Sequence, residues 1–113
     1  MKKINKIALF YNNYRGYYLF QKLKNDGYQI AKILARKNLN HKVKKLSRAN
    51  KIIKNLRSKD FLKFINDKSF DLFILAGFPY IFPKKLISIP KYGVINLHGG
   101  KLPKYRGGSP LSW

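Results

Sequence analysis

The chain has 113 residues and carries 25 Lys or Arg against 4 Asp or Glu, which gives a formal net charge of +21. This length fits one domain with a modest core, and the absence of cysteine, with only 2 His and no Glu, predicts a protein without disulfides or a metal site. No apolar run reaches transmembrane length and the lysine-rich N-terminus lacks the apolar core of a signal peptide, so we expect a cytoplasmic protein without a membrane partner.

The first third of the sequence predicts a strand, a helix and a second strand. Residues 4–11 contain a short apolar run that is typical of a strand buried on both faces. In residues 14–25 the apolar positions recur at helical spacing, and Gly27 follows where a glycine often ends a helix. Residues 28–35 then predict the second strand.

The remaining elements continue this alternation. Apolar residues at intervals of three and four predict one long helix over residues 38–58, with lysines on its other faces. Residues 61–65 predict a short helix, 70–76 a strand, 83–89 a short helix that begins at a proline, and 93–97 the last strand. Strands that alternate with helices predict an α/β fold, an open and mostly parallel sheet flanked by helices and joined by right-handed crossovers.

Two interpretations of the strong positive charge stay open. Such a field attracts nucleic acid, anionic lipid or phosphorylated small molecules, and lysines are concentrated in residues 42–63, so a basic nucleic-acid-binding module is one alternative. The excess is mostly lysine, however, and it accompanies abundant Asn, Ile, Tyr and Phe, as in proteins from AT-rich genomes. The charge therefore also has a purely compositional explanation.

The most informative segment lies at the end of the chain, where the last predicted strand leads into a glycine-rich loop. Side chains two apart on a strand point the same way, so the amide of Asn96 and the imidazole of His98 are predicted to share one face, with Leu97 packed behind them. The segment NLHGGKLPKYRG, residues 96–107, resembles the signature of the formyltransferases that use 10-formyltetrahydrofolate.

A second segment strengthens this resemblance. Residues 75–83, LAGFPYIFP, are similar to the loop that the same family places under the pterin ring of the folate. The resemblance implies a Rossmann-like catalytic domain, in which the loop's backbone groups pair with the ring edge and apolar side chains cover its faces. The donor-binding residues that it implies are Gly77, Phe78, Tyr80, Ile81 and Phe82.

The resemblance also implies a reaction and the roles of the polar pair. A primary amine attacks the formyl carbon of 10-formyltetrahydrofolate, and the tetrahedral oxyanion that forms needs a positioned hydrogen-bond donor. Asn96 would supply that donor, and His98 would act as general acid and base. The acceptor side of the cleft would be formed by Gly99, Gly100, Tyr105 and Arg106.

The match to the family is incomplete in one respect. Its catalytic trio includes an aspartate some tens of residues after the histidine, whereas Asp60, Asp67 and Asp71 all precede His98. We therefore expect residues 1–113 to be the N-terminal part of a formyltransferase catalytic domain, with a sheet incomplete at its C-terminal end. As a fragment or a truncated gene product, this piece is expected to be inactive by itself.

Two acceptors are compatible with the sequence. The tail formed by residues 106–113 resembles enzymes that formylate nucleotide-linked amino sugars. Methionyl-tRNA is the alternative, although the turn at residues 11–16 lacks the Gly-Thr-Pro sequence typical of enzymes that formylate it. The tail favours the amino sugar, and the basic helical region favours tRNA.

Overall fold

The structure, a computed structural model, describes residues 3–97. Within this range the chain forms five strands, β1 Lys6–Tyr11, β2 Gln29–Ala35, β3 Lys51–Ile53, β4 Leu72–Ala76 and β5 Val94–Leu97. The helices between them are α1 Tyr14–Asn25, α2 His41–Ser47, α3 Lys59–Asp67 and α4 Lys84–Ile87. All neighbouring strands are parallel and follow the order β3-β2-β1-β4-β5. The predicted α/β class and Rossmann-like sheet are thus confirmed.

The prediction of one helix over residues 38–58 is wrong. Helix α2 ends at Ser47 because Arg48 adopts the left-handed conformation, with a φ of 47°. Asn50 then joins the chain to β2, since its Oδ1 accepts from the backbone N–H of Lys32 at 2.7 Å and its own N–H donates to the Lys32 carbonyl at 2.9 Å. These bonds place the following residues beside β2 as strand β3.

The sheet is covered on both faces, which explains why its central strands are apolar without alternation. On β1, Ala8 and Phe10 face the core beneath α3 and α4, whereas Ile7, Leu9 and Tyr11 face the core beneath α1 and α2. Both sets are buried. In the part of the chain that the structure describes, no helix combines the length and the apolar character that crossing a membrane requires.

Helix α1 lies unusually close to β1 at Gly16. A Cβ atom at this position would lie 2.1 Å from the Cβ of Tyr11. The Tyr11 Cβ is attached directly to the backbone, so it could move away only if strand β1 moved with it. Glycine at position 16 therefore sets the separation between the helix and the sheet.

A buried hydroxyl pair joins the same strand to α2. The Tyr11 hydroxyl donates to Ser47 Oγ at 2.7 Å, and both residues are buried. Burial raises the pKa of Tyr11 to about 12, the hydrogen bond to Ser47 partly opposes this shift, and the nearby Tyr17 adds to it. Because the folded state resists ionisation of Tyr11, its contribution to stability is complete below the ordinary pKa near 10 and is lost as the pH rises toward 12.

We expect Tyr11→Phe to lower the free energy of unfolding by about 1–3 kcal/mol near neutral pH, since the buried Ser47 hydroxyl loses its partner. Above about pH 10 the difference between wild type and variant should shrink, because only the wild type carries a tyrosine whose ionisation favours unfolding. Urea denaturation at about pH 8 and about pH 11 measures both values. A stability difference that is the same at both pH values would contradict this account.

Candidate active site at the carboxyl edge of the sheet

The strand order places a crevice between the carboxyl ends of β1 and β4. From β1 the chain crosses to one side of the sheet, through β2 and β3, and from β4 it crosses to the other side, to β5. Ligands of open α/β sheets bind where the connections diverge in this way. The structure brings Asn13, after β1, close to Gly77, after β4, with Asn13 Nδ2 3.8 Å from where a Cβ of Gly77 would lie.

Asn12 fixes one wall of this crevice and was not predicted as part of the site. The side chain of Asn12 is buried, and its Nδ2 donates to the Lys37 carbonyl at 2.8 Å. The backbone carbonyl of Asn12 accepts from the Asn40 N–H at 3.1 Å. These bonds tie the end of β1 to the connection between β2 and α2. Two consecutive asparagines directly after a buried strand were the available signal.

The segment that follows β4, residues 77–83, is here called the donor loop after the role that the sequence analysis predicts for it. Gly77 begins it with a φ of 68°, a left-handed conformation that favours glycine. Phe78 and Phe82 pack edge-on against the buried ring of Phe10, with ring centroids 5.3 and 4.9 Å away. The Tyr80 hydroxyl donates to the Ile53 carbonyl at 3.1 Å and accepts from the Lys37 N–H at 3.2 Å. Three side chains therefore hold the donor loop against the sheet.

The outward side of the donor loop is left open. Ile81 is 91% exposed, in contrast to its aromatic neighbours. Among residues 3–97, no hydrogen bond engages the backbone groups of Phe78, Tyr80, Ile81 or Phe82. A planar ligand with donors and acceptors on its edge can thus pair with this backbone while the side chains keep their packing.

An open cleft of about 530 Å³ lies between the donor loop and the segment that follows β3. Asn55, Leu56 and Arg57 line one side, and Pro79, Tyr80 and Ile81 line the other. Asn55 and Arg57 were missed as candidate site residues because the sequence predicted a helix here. The β-branched pair at positions 52 and 53, with asparagine at 50 and 55, was the signal for a short strand between turns.

Asn96 lies on β5, opposite Leu75 of β4, and its side chain is exposed. It shares a sheet face with Val94, which packs on the same core as Phe78, Tyr80 and Phe82. The donor loop and the Asn96 amide are thus on one face of the carboxyl edge. Leu97 was predicted to pack behind the polar pair, but its side chain is 39% exposed and so only partly covered.

Five predicted site residues lie outside the described range of 3–97. They are His98, Gly99, Gly100, Tyr105 and Arg106. The other histidine, His41, begins α2 and is exposed, as expected of a surface residue. Between residues 3 and 97 there is no group of three His, Cys, Asp or Glu side chains able to hold a metal ion.

Comparison with known proteins assigns the chain to a family. A sequence model described as formyl transferase matches residues 26–113, which include the donor loop and Asn96. The chain belongs to the formyl transferase family. The match confirms the resemblance that the two sequence segments predicted.

Individual formyl transferases match shorter regions. A methionyl-tRNA formyltransferase of Clostridioides difficile is 42% identical over 57 residues, 50% of this chain and 18% of that protein. One of Acetivibrio thermocellus is 38% identical over 58 residues, 51% of this chain and 19% of that protein. One of Citrifermentans bemidjiense is 54% identical over 43 residues, 38% of this chain and 14% of that protein. Each match spans less than a fifth of the relative's length.

Proposed function

We propose that this chain forms the donor-binding and catalytic part of an enzyme that transfers a formyl group from 10-formyltetrahydrofolate to a primary amine. The observation that carries this proposal is the open backbone of the donor loop on the same sheet face as the Asn96 amide. Family membership supports the reaction class.

On the donor side, the backbone groups of Phe78, Tyr80, Ile81 and Phe82, which no hydrogen bond engages within residues 3–97, pair with the edge of the pterin ring. Tyr80 keeps this backbone in place through its bonds to Ile53 and Lys37, so the loop loses little conformational freedom when the folate binds. The exposed Ile81 side chain covers one face of the bound ring, and Gly77 allows the sharp turn out of β4.

On the catalytic side, the Asn96 amide donates a hydrogen bond to the oxyanion as the amine attacks the formyl carbon. His98 lies two residues further along and takes the proton from the amine, then returns it to the leaving nitrogen of the folate. Gly99, Gly100, Tyr105 and Arg106 form the acceptor side. The carboxylate that orients the histidine in the family has no counterpart after His98 in these 113 residues.

The acceptor that we propose is the amino group of methionyl-tRNA, because the relatives that match this chain carry that substrate in their names. A nucleotide-linked amino sugar is the second candidate, on the resemblance of residues 106–113. Offering both acceptors and radiolabelled donor to the full protein that the gene encodes decides between them. Label only in the sugar would overturn the choice of tRNA, and label in neither would overturn formyl transfer to these amines.

We expect Ile81→Ser to weaken binding of the stable analogue 5-formyltetrahydrofolate by about tenfold, which corresponds to about 1.4 kcal/mol of lost apolar contact with the ring. The fold should not change, because Ile81 contributes almost nothing to the core. Isothermal titration with Ile87→Ser as the matched control measures the effect, since Ile87 is also exposed but lies on α4. Equal affinities of Ile81→Ser and wild type would remove Ile81 from the donor site.

A further inference from the structure

A second concave surface, here called the α1/α2 groove, lies between the two helices that cover the other face of the sheet. It has a volume of about 510 Å³ and is lined by residues from α1, from β2 and from the end of α2. Both helices begin at the carboxyl edge and run back toward the amino ends of the strands. The groove therefore opens away from the donor loop and Asn96.

Three cations converge in this groove. Lys32 on β2 places its Nζ 4.5 Å from the ring centroid of Phe20, and the Nζ of Lys24 lies 5.9 Å from the same centroid. Arg48, just beyond the end of α2, completes the set. Burial lowers the pKa of Lys32, and repulsion by Lys24 and then Arg48 lowers it further, so both of these charges lie close enough to oppose that of Lys32.

Within residues 3–97, each of the 4 aspartates contacts a group other than these three cations. Asp26 pairs with Lys22 at 3.9 Å, Asp60 with Lys51 at 2.7 Å and Asp67 with Lys63 at 3.0 Å. Asp71 accepts from the backbone N–H groups of Asn5 and Lys6 at 2.8 and 2.9 Å, which lowers its pKa. Within residues 3–97, none of the groove's cations forms an ion pair.

Aromatic and amide side chains accompany the cations. Tyr17 and Phe20 line the groove together with Gln21 and Asn25. Beside them, the ring of Tyr18 is 60% exposed and lies 5.9 Å from that of Tyr17. Cations along a groove and an exposed aromatic ring at its side are the two elements with which proteins hold single-stranded nucleic acid without reading its sequence.

We propose that the α1/α2 groove binds the phosphodiester backbone of single-stranded nucleic acid, with phosphates between Lys24, Lys32 and Arg48 and a base on Tyr18. An anionic membrane fits less well, since a flat surface does not enter a concave groove. This inference is independent of formyl transfer, because the groove shares no residue with the donor loop or Asn96.

The test measures the affinity of a fluorescent oligouridylate of about 12 nucleotides by anisotropy at about 150 mM KCl. We expect Lys24→Gln/Lys32→Gln to weaken binding by at least about tenfold and to lower the slope of log affinity against log salt by about 1.4, the value for two lost phosphate contacts. The control Lys84→Gln/Lys85→Gln removes the same charge from exposed positions on α4 and should change the affinity by less than about twofold.

Several outcomes would overturn the proposal. Equal losses in the groove and control variants would show that only net charge matters. Binding to vesicles of anionic phospholipid without oligonucleotide binding would assign the groove to a membrane, and saturation by inorganic phosphate alone would assign it to a free anion.

Lys24 and Arg48 also lie near helix C-termini, where cations stabilise the helix. If Lys24→Gln/Arg48→Asn lowers the thermal stability but leaves the oligonucleotide affinity unchanged, these two cations only stabilise their helices and do not bind nucleic acid.

The folate measurement separates this inference from the proposed function. The Lys24→Gln/Lys32→Gln protein should bind 5-formyltetrahydrofolate as wild type does, since the groove and the donor loop lie on opposite faces of the sheet. Loss of oligonucleotide binding with folate binding intact supports the groove by itself. Loss of both oligonucleotide and folate binding would show that this variant is misfolded. In that case the oligonucleotide affinity is measured on Lys24→Gln/Arg48→Asn, which keeps Lys32.

Discussion

Replacing Phe10 by alanine should lower the free energy of unfolding by about 3–5 kcal/mol, a large part of the stability of a small domain. Phe10 is the next-to-last residue of β1 and has no exposed surface. Its ring meets those of Phe61 and Phe73 from within the domain, and those of Phe78 and Phe82 from the donor loop. The cavity left by alanine therefore reaches from the core to the candidate active site.

The same substitution is expected to weaken folate binding in the molecules that remain folded, because the donor loop loses the ring on which two of its side chains rest. Urea denaturation measures the stability, and titration with 5-formyltetrahydrofolate at low temperature measures the binding. Tyr18→Ala is the control for stability, since Tyr18 is exposed on α1 and its loss should cost less than about 1 kcal/mol. A loss below about 1 kcal/mol for Phe10→Ala would contradict the packing described here.

Replacing Asn96 by alanine should lower the turnover of formyl transfer by about 100- to 1000-fold, the usual effect of removing one donor from an oxyanion hole. The bond from the amide matters most when charge develops on the formyl oxygen, so the effect should fall on kcat rather than on donor affinity. Asn96 is exposed at the sheet edge, and stability should change little.

The assay uses the full protein that the gene encodes and the acceptor that the labelling experiment selects. Asn96→Asp is the most informative second variant, because it keeps the size of the side chain but removes the N–H donors. The ionised carboxylate that replaces the amide can accept hydrogen bonds but cannot donate them. Asn66→Ala, on the exposed side of α3, controls for the loss of an asparagine elsewhere. Turnover of Asn96→Ala within about threefold of wild type would exclude the amide from oxyanion stabilisation.

Most elements of the fold could be predicted because the apolar character and the backbone preferences of their own residues indicate burial and element boundaries. The uninterrupted apolar runs of β1 and β4 require burial on both faces, and Gly27 and Pro83 mark helix boundaries through their backbone preferences. The donor loop and Asn96 could be proposed from the sequence for a related reason. The chemistry proposed for them depends on short stretches of consecutive residues, which the sequence displays directly and which the family match to residues 26–113 includes.

Strand β3 and the two concave surfaces depended on contacts between distant residues. A strand of three residues forms here because Asn50 bonds to Lys32 of β2, a partner 18 positions away, and because Arg48 stops α2 in a left-handed conformation. Helical spacing in residues 38–58 carries no information about either contact, so the pattern that predicted a helix there could not also reveal the cleft at Asn55 and Arg57. The α1/α2 groove likewise exists only because β2 and the ends of two helices meet, and local periodicity cannot place Lys32 beside Lys24 and Arg48.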